Sequence, residues 1–542
     1  MGDPSIEATF EQQAARRKTV VNVVAALVLL GVVIAGMSVT SAFHKPPDYD
    51  EAVYLSQVTP GVPSVEFTGP RSRGITILIA PLTVAHAPLW AVRLWIAFLI
   101  TAGLFLAYRV WARSVELPVA VAALLFGGSW LTIFYATQIY PNMPSAVVAL
   151  AAAGVFASLT VRRSAHALWA LPLLLALLGL IRPVDATALT LALGMSTLLL
   201  KGRRRTLLLV LVAGLVLAWT PWVAEAYGRC GGPVARLHAS SANVGGGLRN
   251  NAPKFMAMAD GPVIWPERPV HIAWQSVAWI GSAGLFALIG IVAAIRKKRT
   301  PVLIAAIASI ALAMPYLFLE GGDGSIAPRF LLPALACGSI PMAAGIASIM
   351  RSKIALVVVL AGASSLSAWH IGVLDRIDHG DQYRRLDAVA IGQTIRQMSG
   401  GKPCVFGSLY GFPVIAFESG CQGFRFRAPR MAIEPVAAHI GTDGPDPCSG
   451  FHIKGDPLVW LRQQGDSETH ERVFVVIFGH SSLETQGYAF VKRQLPSGKV
   501  ITILDMSSMG ADHQKRRPKA WFPDTGGPYY VWSGTNTHRV PL

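Results

Sequence analysis

Charge is scarce in this chain. Only 14% of its 542 residues are Asp, Glu, Lys or Arg, against about 25% in an average globular protein. A soluble chain of that length could not cover its surface with so few charges, which excludes a water-soluble enzyme, a disordered scaffold and a fibrous protein. Acidic residues are the scarcer sign, 30 against 47 basic. Cysteine is sparse, five in all, and the thirteen histidines are scattered. With no paired CxxC, no metal site is indicated. No internal repeat of the kind that marks secondary transporters stands out. Apolar residues, by contrast, make up 53% of the chain, and the mean hydropathy is +0.47. This is the composition of a polytopic membrane protein.

A spanning helix needs about 20 mostly apolar residues. Eleven segments qualify: 20–43, 89–110, 118–136, 143–161, 166–181, 184–200, 206–224, 272–295, 301–319, 329–350 and 354–373. The first is too long for a signal-peptide core and lacks a small-residue cleavage site, so it reads as a retained anchor. Basic clusters separate the segments: Arg16–Lys18, Arg109/Arg113, Arg162/Arg163, Lys201–Arg205, Arg296–Arg299 and Arg351/Lys353. With the N-terminus in the cytoplasm, all of them fall inside, as the positive-inside rule requires. The other connections, and everything after 374, then fall outside. The net charge of +17 is thus topology information. It forms no basic face with interleaved aromatics, and nucleic acid is not a partner.

After residue 374 charge density rises and apolar runs shorten. Tyr383–Met398 has helical spacing. Cys404–Gly407, Val473–Phe478 and Val500–Leu504 read as short buried strands. The expected organisation is therefore mainly α: a transmembrane catalytic domain over 1–374 and a small extracytoplasmic α/β domain over 375–542. Cys337 lies inside a helix. Cys230, Cys404, Cys421 and Cys448 lie outside, where disulfides are permitted. Cys404–Cys421 is the expected pair, although three cysteines in the domain allow three pairings.

The first external loop, 44–72, carries His44-Lys-Pro-Pro-Asp48-Tyr-Asp50-Glu51-Ala-Val-Tyr54. Three carboxylates within four residues, at the edge of a low-dielectric region, can act as general bases. Asp50 and Tyr54 would share one face of a helical turn. The bland reading is a helix N-terminus, where acids are favoured anyway. Next come Arg71 and Arg73, in Pro70-Arg-Ser-Arg-Gly74, placed where positive charge is disfavoured. Guanidinium pairs bidentately with phosphate, but Glu66 or lipid headgroups would also serve. Arg182 and Asp185 cap a hairpin between helices, where charged residues are expensive unless paired or functional, and pairing with each other is as good a reading as function. Arg329 opens the tenth span with Asp323 upstream, and Tyr140-Pro-Asn142 fills a tight turn read as structural. All these candidates share one side of the membrane.

An Asp-Glu pair after the first helix, a short lateral helix, an arginine–glycine element re-entering the membrane, about eleven helices and a C-terminal external domain together resemble the GT-C superfamily of membrane glycosyltransferases. The particular likeness is to the clan of protein O-mannosyltransferases and aminoarabinose transferases. The architecture covers the whole chain; the motifs cover only Asp50-Glu51-Ala52, Arg71–Gly74, Arg182 and Arg329. The resemblance implies a polyprenyl-phosphate sugar as donor, inversion at the sugar C1, and an acceptor hydroxyl on the outer face. Asp50 would be the base or orienting group, with Glu51 positioning the acceptor or supporting the loop. Arg71, Arg73 and Arg329 would hold the lipid phosphate, with Asp48, Tyr54, Arg182, Asp185 and Asp323 around them. No cofactor is required, and a divalent metal is not indicated. The Lys-Pro-Pro of the clan is replaced here by Pro-Arg-Ser-Arg-Gly, while a Lys45-Pro46-Pro47 stands upstream of the acids. The Ala-, Val-, Arg- and Gly-rich composition suggests a high-GC, actinobacterial type of mannosyltransferase. Its acceptor would be a protein, a cell-wall glycan or a peptide antibiotic; pentosyl transfer to wall glycan and transport of lipid-linked sugars are the alternatives.

Overall fold

The computed structural model describes residues 44–505 apart from 66, 113, 115–118, 162–163, 201–203, 245–246, 260–271, 320–325, 351–352, 409–410, 426–471 and 479–488. The expected first span and Asp323 lie outside the described residues. Downstream, helices occupy each expected span. Six are long and apolar enough to cross a membrane alone: Leu89–Ala112 (α3), Asn142–Val161 (α6), Arg204–Arg229 (α9), Trp274–Arg296 (α12), Thr300–Leu319 and Pro328–Ile349. Ala165–Ile181 (α7) and Pro183–Leu199, in which Pro183–Ser196 is regular helix (α8), are shorter apolar helices. The protein is a multi-pass membrane protein.

Two expected spans differ in detail. Segment 118–136 is two helices, Val119–Gly127 (α4) and Trp130–Ala136 (α5), bent by 71°. The break falls at Gly127-Gly128-Ser129, and the Ser129 hydroxyl oxygen caps the new start by accepting from the Thr132 amide at 3.3 Å. Segment 354–373 does not end where the charge density rises: it belongs to one 47-residue helix, Lys353–Ser399 (α15). That single helix continues from the apolar bundle into the sheet-bearing part.

Small residues let the helices approach closely. A Cβ on Gly290 would lie 1.9 Å from Pro341 O, and one on Gly345 would lie 1.9 Å from Phe286 O. The two glycines therefore bring the backbones of α12 and Leu332–Ile349 (α14) into contact. Helix α6, with Ala146, Ala149, Ala153 and Ala157 buried, occupies the centre of the bundle.

The C-terminal part is a five-stranded sheet in the order β2-β1-β3-β5-β4. Its strands are Cys404–Ser408 (β1), Gln422–Arg425 (β2), Arg472–Phe478 (β3), Ala489–Gln494 (β4) and Val500–Asp505 (β5). β1 runs parallel to β2 and β3, while β5 is antiparallel to β3 and β4. A short helix, Phe412–Ser419 (α16), joins β1 to β2 between Gly411 and Gly420, both in the left-handed region at φ 68° and 72°. A disulfide joins Cys404 to Cys421. Helix α16 rests on the first loop, with the Phe412 ring edge-on to Tyr49 at 5.8 Å.

Candidate active site

The first loop folds as the sequence suggests. Tyr49–Ser56 is a helix (α1) that starts at Asp48. The Asp48 amide donates to Glu51 Oε2 at 2.9 Å, so the fourth residue of the acidic run reaches back to fix the helix start. This places Asp48 and Glu51 inward and leaves Asp50 on another face with Tyr54.

Asp50 lies between two arginines. Its Oδ1 accepts from Arg71 Nη2 at 2.7 Å and its Oδ2 from Arg329 Nη2 at 2.9 Å. The two guanidiniums come from well-separated parts of the sequence, the first loop and the start of a late span. Arg71 precedes Gly74, the first residue of Gly74–Val84 (α2). A Cβ on Gly74 would meet Ile181 Cα and Leu180 O at 2.7 Å, so only glycine lets this segment abut the end of α7. Arg71 also lies over the Tyr54 ring at 5.4 Å, and Arg329 over Tyr140 at 4.8 Å. Burial lowers the Arg71 pKa, but Asp50 and the neighbouring tyrosines more than reverse that and hold it above its ordinary value. Its Nε is buried without a hydrogen-bond partner.

Glu51 is different. Fully buried, it accepts from Arg93 Nη2 at 2.6 Å, Arg385 Nη1 at 2.9 Å and the Ile139 amide at 3.1 Å. Burial alone would raise its pKa, yet Arg93 and then Arg385 bring it below the ordinary value. Asp48 follows the same logic. Burial opposes its charge, but Arg385, Arg384 and the Tyr140 hydroxyl, which donates to Oδ2, hold it well below the usual carboxylate range. Tyr140, placed between Asp48 and Arg329, thus belongs to the network, although the sequence reads it as a turn residue. Arg93, Arg384 and Arg385 did not emerge from the sequence at all. The signal for Arg93 was available: an arginine near one end of an apolar span needs a reason.

Arg182 and Asp185 also converge here. Arg182 Nε is 3.6 Å from Asp185 Oδ2. Buried Asp185 accepts from the hydroxyls of Ser145 and Tyr316 as well. The Phe330 ring carries Arg182 on it at 5.0 Å and Arg329 at 5.2 Å, linking this pair to Asp50. Arg73 is not part of that group. It donates to Glu225 Oε1 at 2.8 Å and Gln57 Oε1 at 3.0 Å. The structure therefore separates Arg71 and Arg73, which the sequence places together. Among the described residues, no three His, Cys, Asp or Glu side chains converge as a metal would require.

The site is a carboxylate held between two cations at the end of an apolar bundle. Such a pair of guanidiniums can hold a phosphate oxygen pair, and the carboxylate can accept a proton. No family model matches the chain, and no curated protein matches it by sequence. Solved structures do match in fold. The chain is similar to ArnT from Cupriavidus metallidurans bound to undecaprenyl phosphate, at 12% identity and a TM-score of 0.54, over 89% of this chain and 97% of that one. Apo ArnT matches at 13% identity and 0.54, over 91% and 99%. The Archaeoglobus fulgidus oligosaccharyltransferase tethered to an acceptor peptide matches at 13% and 0.50, over 91% of this chain and 74% of that one. The likeness is one of fold, the GT-C fold.

Proposed function

We propose that this chain is an inverting membrane glycosyltransferase that moves a sugar, mannose first, from a polyprenyl-phosphate donor to an acceptor hydroxyl on the outer face of the membrane. The observation that carries this reading is Asp50 bridged by Arg71 at 2.7 Å and Arg329 at 2.9 Å. The fold likeness to a protein bound to undecaprenyl phosphate supports it.

The reaction follows from the groups present. Arriving phosphate oxygens compete with Asp50 for the two guanidiniums, which frees the carboxylate as they take the donor. Asp50 then accepts the proton of the acceptor hydroxyl as its oxygen attacks the sugar C1 from the face opposite the phosphate. The C1–O bond breaks, its electron pair stays with the phosphate, and Arg71 and Arg329 stabilise the added charge. Inversion follows from the single displacement. The base is thereby coupled to the donor: it is released only when the leaving group is in place. Glu51 and Asp48, saturated with hydrogen bonds, hold the loop; Tyr54 supports Arg71, and Arg182 and Asp185 brace the Arg329 side.

Purified protein incubated with polyprenyl-phosphate-mannose tests the proposal through release of free polyprenyl phosphate. Release with an arabinose lipid alone would keep the mechanism and replace mannose with a pentose. No release from any lipid-linked sugar, with acceptors of all three classes present, would refute the reading and favour a transporter.

A further inference from the structure

Three guanidiniums surround one carboxylate at a second place. Glu225 accepts from Arg73 and Arg229 at 2.8 Å each and pairs with Arg236 at 3.1 Å. No other carboxylate among the described residues joins them, so among those residues three cations face one anion, on the side where the charge bias of the sequence disfavours them.

The three arginines are not equivalent. Arg236 is buried and committed to the backbone, donating to Gly69 O at 3.1 Å, Trp222 O at 2.8 Å and Arg71 O at 2.8 Å. It fixes the chain that carries Arg71 and Ser72. Burial, and behind it the like charges of Arg229 and Arg73, holds its pKa below the ordinary value despite Glu225. The side chains of Arg73 and Arg229 remain 31% and 34% exposed. They lie over the ring of Phe67, with guanidinium carbons 3.9 and 5.9 Å from its centre. Ser72 lines a small void with Arg73 and Glu225 on one side and Gly179, Leu180 and Trp222 of the bundle on the other; Arg229 reaches the same cluster through Glu225. Ser72 is 8% exposed and its Oγ has no hydrogen-bond partner. A buried hydroxyl left unsatisfied is costly and needs an explanation. Tyr227 and Val234, two residues from Arg229 and Arg236 in sequence, are exposed.

We propose that Ser72, Arg73 and Arg229 form a second anion site, distinct from the Asp50 pair, which takes a phosphate group at the membrane surface. The two guanidiniums supply charge and directed N–H donors, and the Ser72 hydroxyl supplies a third donor. Glu225 holds the arginines in place when no phosphate is bound and competes with it. The site stands independently of the role given to Asp50.

The full-length protein in detergent is titrated with short-chain phosphatidic acid in one arm and inorganic phosphate in the other, following its thermal midpoint. Arg73→Ala and Arg229→Ala each weaken the apparent affinity about tenfold. Glu225→Gln tightens it, a gain that a folding defect cannot imitate. The response persists in Arg71→Ala, which separates this site from the Asp50 pair. An equal response to both probes identifies a free phosphate group as sufficient ligand; a response to phosphatidic acid alone identifies a lipid headgroup. Unchanged affinity in Arg73→Ala and Arg229→Ala, or weaker binding in a Glu225→Gln protein of wild-type thermal midpoint, overturns the proposal and leaves the void to water.

Discussion

Arg385 Nη1 donates to Glu51 Oε2 at 2.9 Å across 334 positions of sequence. The same guanidinium reaches Pro46 O at 3.0 Å and Gln138 Oε1 at 2.9 Å. One side chain on the long helix α15 thus ties the sheet-bearing part to the loop that carries Asp50 and to the turn after α5. Nearby, Lys45 pairs with Asp378 and Arg384 with Asp48 at 3.4 Å. The first loop is held between the bundle and the sheet by charge as well as by the Tyr49–Phe412 contact.

Removing Arg385 leaves Glu51 buried with Arg93 as its remaining charged partner. Breaking a buried ion pair from one side costs about 3–5 kcal/mol. Arg385→Leu is therefore expected to lower stability by about 3 kcal/mol, the low end because Arg93 persists. Urea unfolding of the purified protein measures this. A loss below about 1 kcal/mol, the scale of an exposed pair, would show that the tie is not a buried one.

Acidification should act through the same loop. Asp48 and Glu51 are both held below their ordinary values of 3.8 and 4.5. A group whose folded pKa is depressed contributes stability above its unfolded value and loses it as pH falls towards the folded value. Stability should therefore be flat near neutrality and fall below about pH 4. Thermal midpoints from pH 3 to 7 record the slope, and Asp48→Asn should flatten it. A midpoint that rises on acidification would contradict the assigned directions.

Much of this was legible. Arg71 and Arg329 stand out because the positive-inside bias leaves little reason for an arginine there, Asp50 because three carboxylates crowd into four residues, and the structure brings all three together. The strands at 404, 473 and 500 showed as short β-branched runs. Other features were hidden for physical reasons. Arg93 sits inside a run whose overall apolarity masks a single charge. Arg384 and Arg385 lie in a helix whose pattern shows only its apolar face, and their carboxylate partners, Asp48 and Glu51, are more than three hundred positions away. A step in composition falls inside the 47-residue helix and resembles a boundary, although the backbone continues through it. Arg73 and Arg71 are two apart in an irregular segment, so nothing in their spacing showed that they would meet different carboxylates.

The Cys404–Cys421 bridge closes a loop of 17 residues between β1 and the start of β2. A loop of that size is worth about 3 kcal/mol in the chain-entropy account. Cys421→Ser should loosen β1, β2 and α16 while sparing the helical bundle. Hydrogen exchange with peptide resolution checks this, through faster exchange over 404–425 and unchanged protection in α6. Equal loss of protection in both would mean that the two parts unfold as one unit.

Donor affinity should respond to the arginines on either side of Asp50. Arg71→Ala and Arg329→Ala each remove one charge-assisted contact to phosphate, and the apparent KM for the lipid donor should rise about tenfold or more. Acceptor KM should stay within about twofold, well under the tenfold that one such contact is worth. A change confined to the acceptor would reassign both arginines.

The most direct test is steady-state kinetics of Asp50→Asn with the lipid-phosphate sugar. The account predicts that kcat falls about 100- to 10,000-fold, the range for loss of a general base. It also predicts that donor KM stays level or falls, because asparagine no longer competes with phosphate for Arg71 and Arg329. Turnover at the wild-type rate in a correctly folded Asp50→Asn protein would contradict the central role of Asp50.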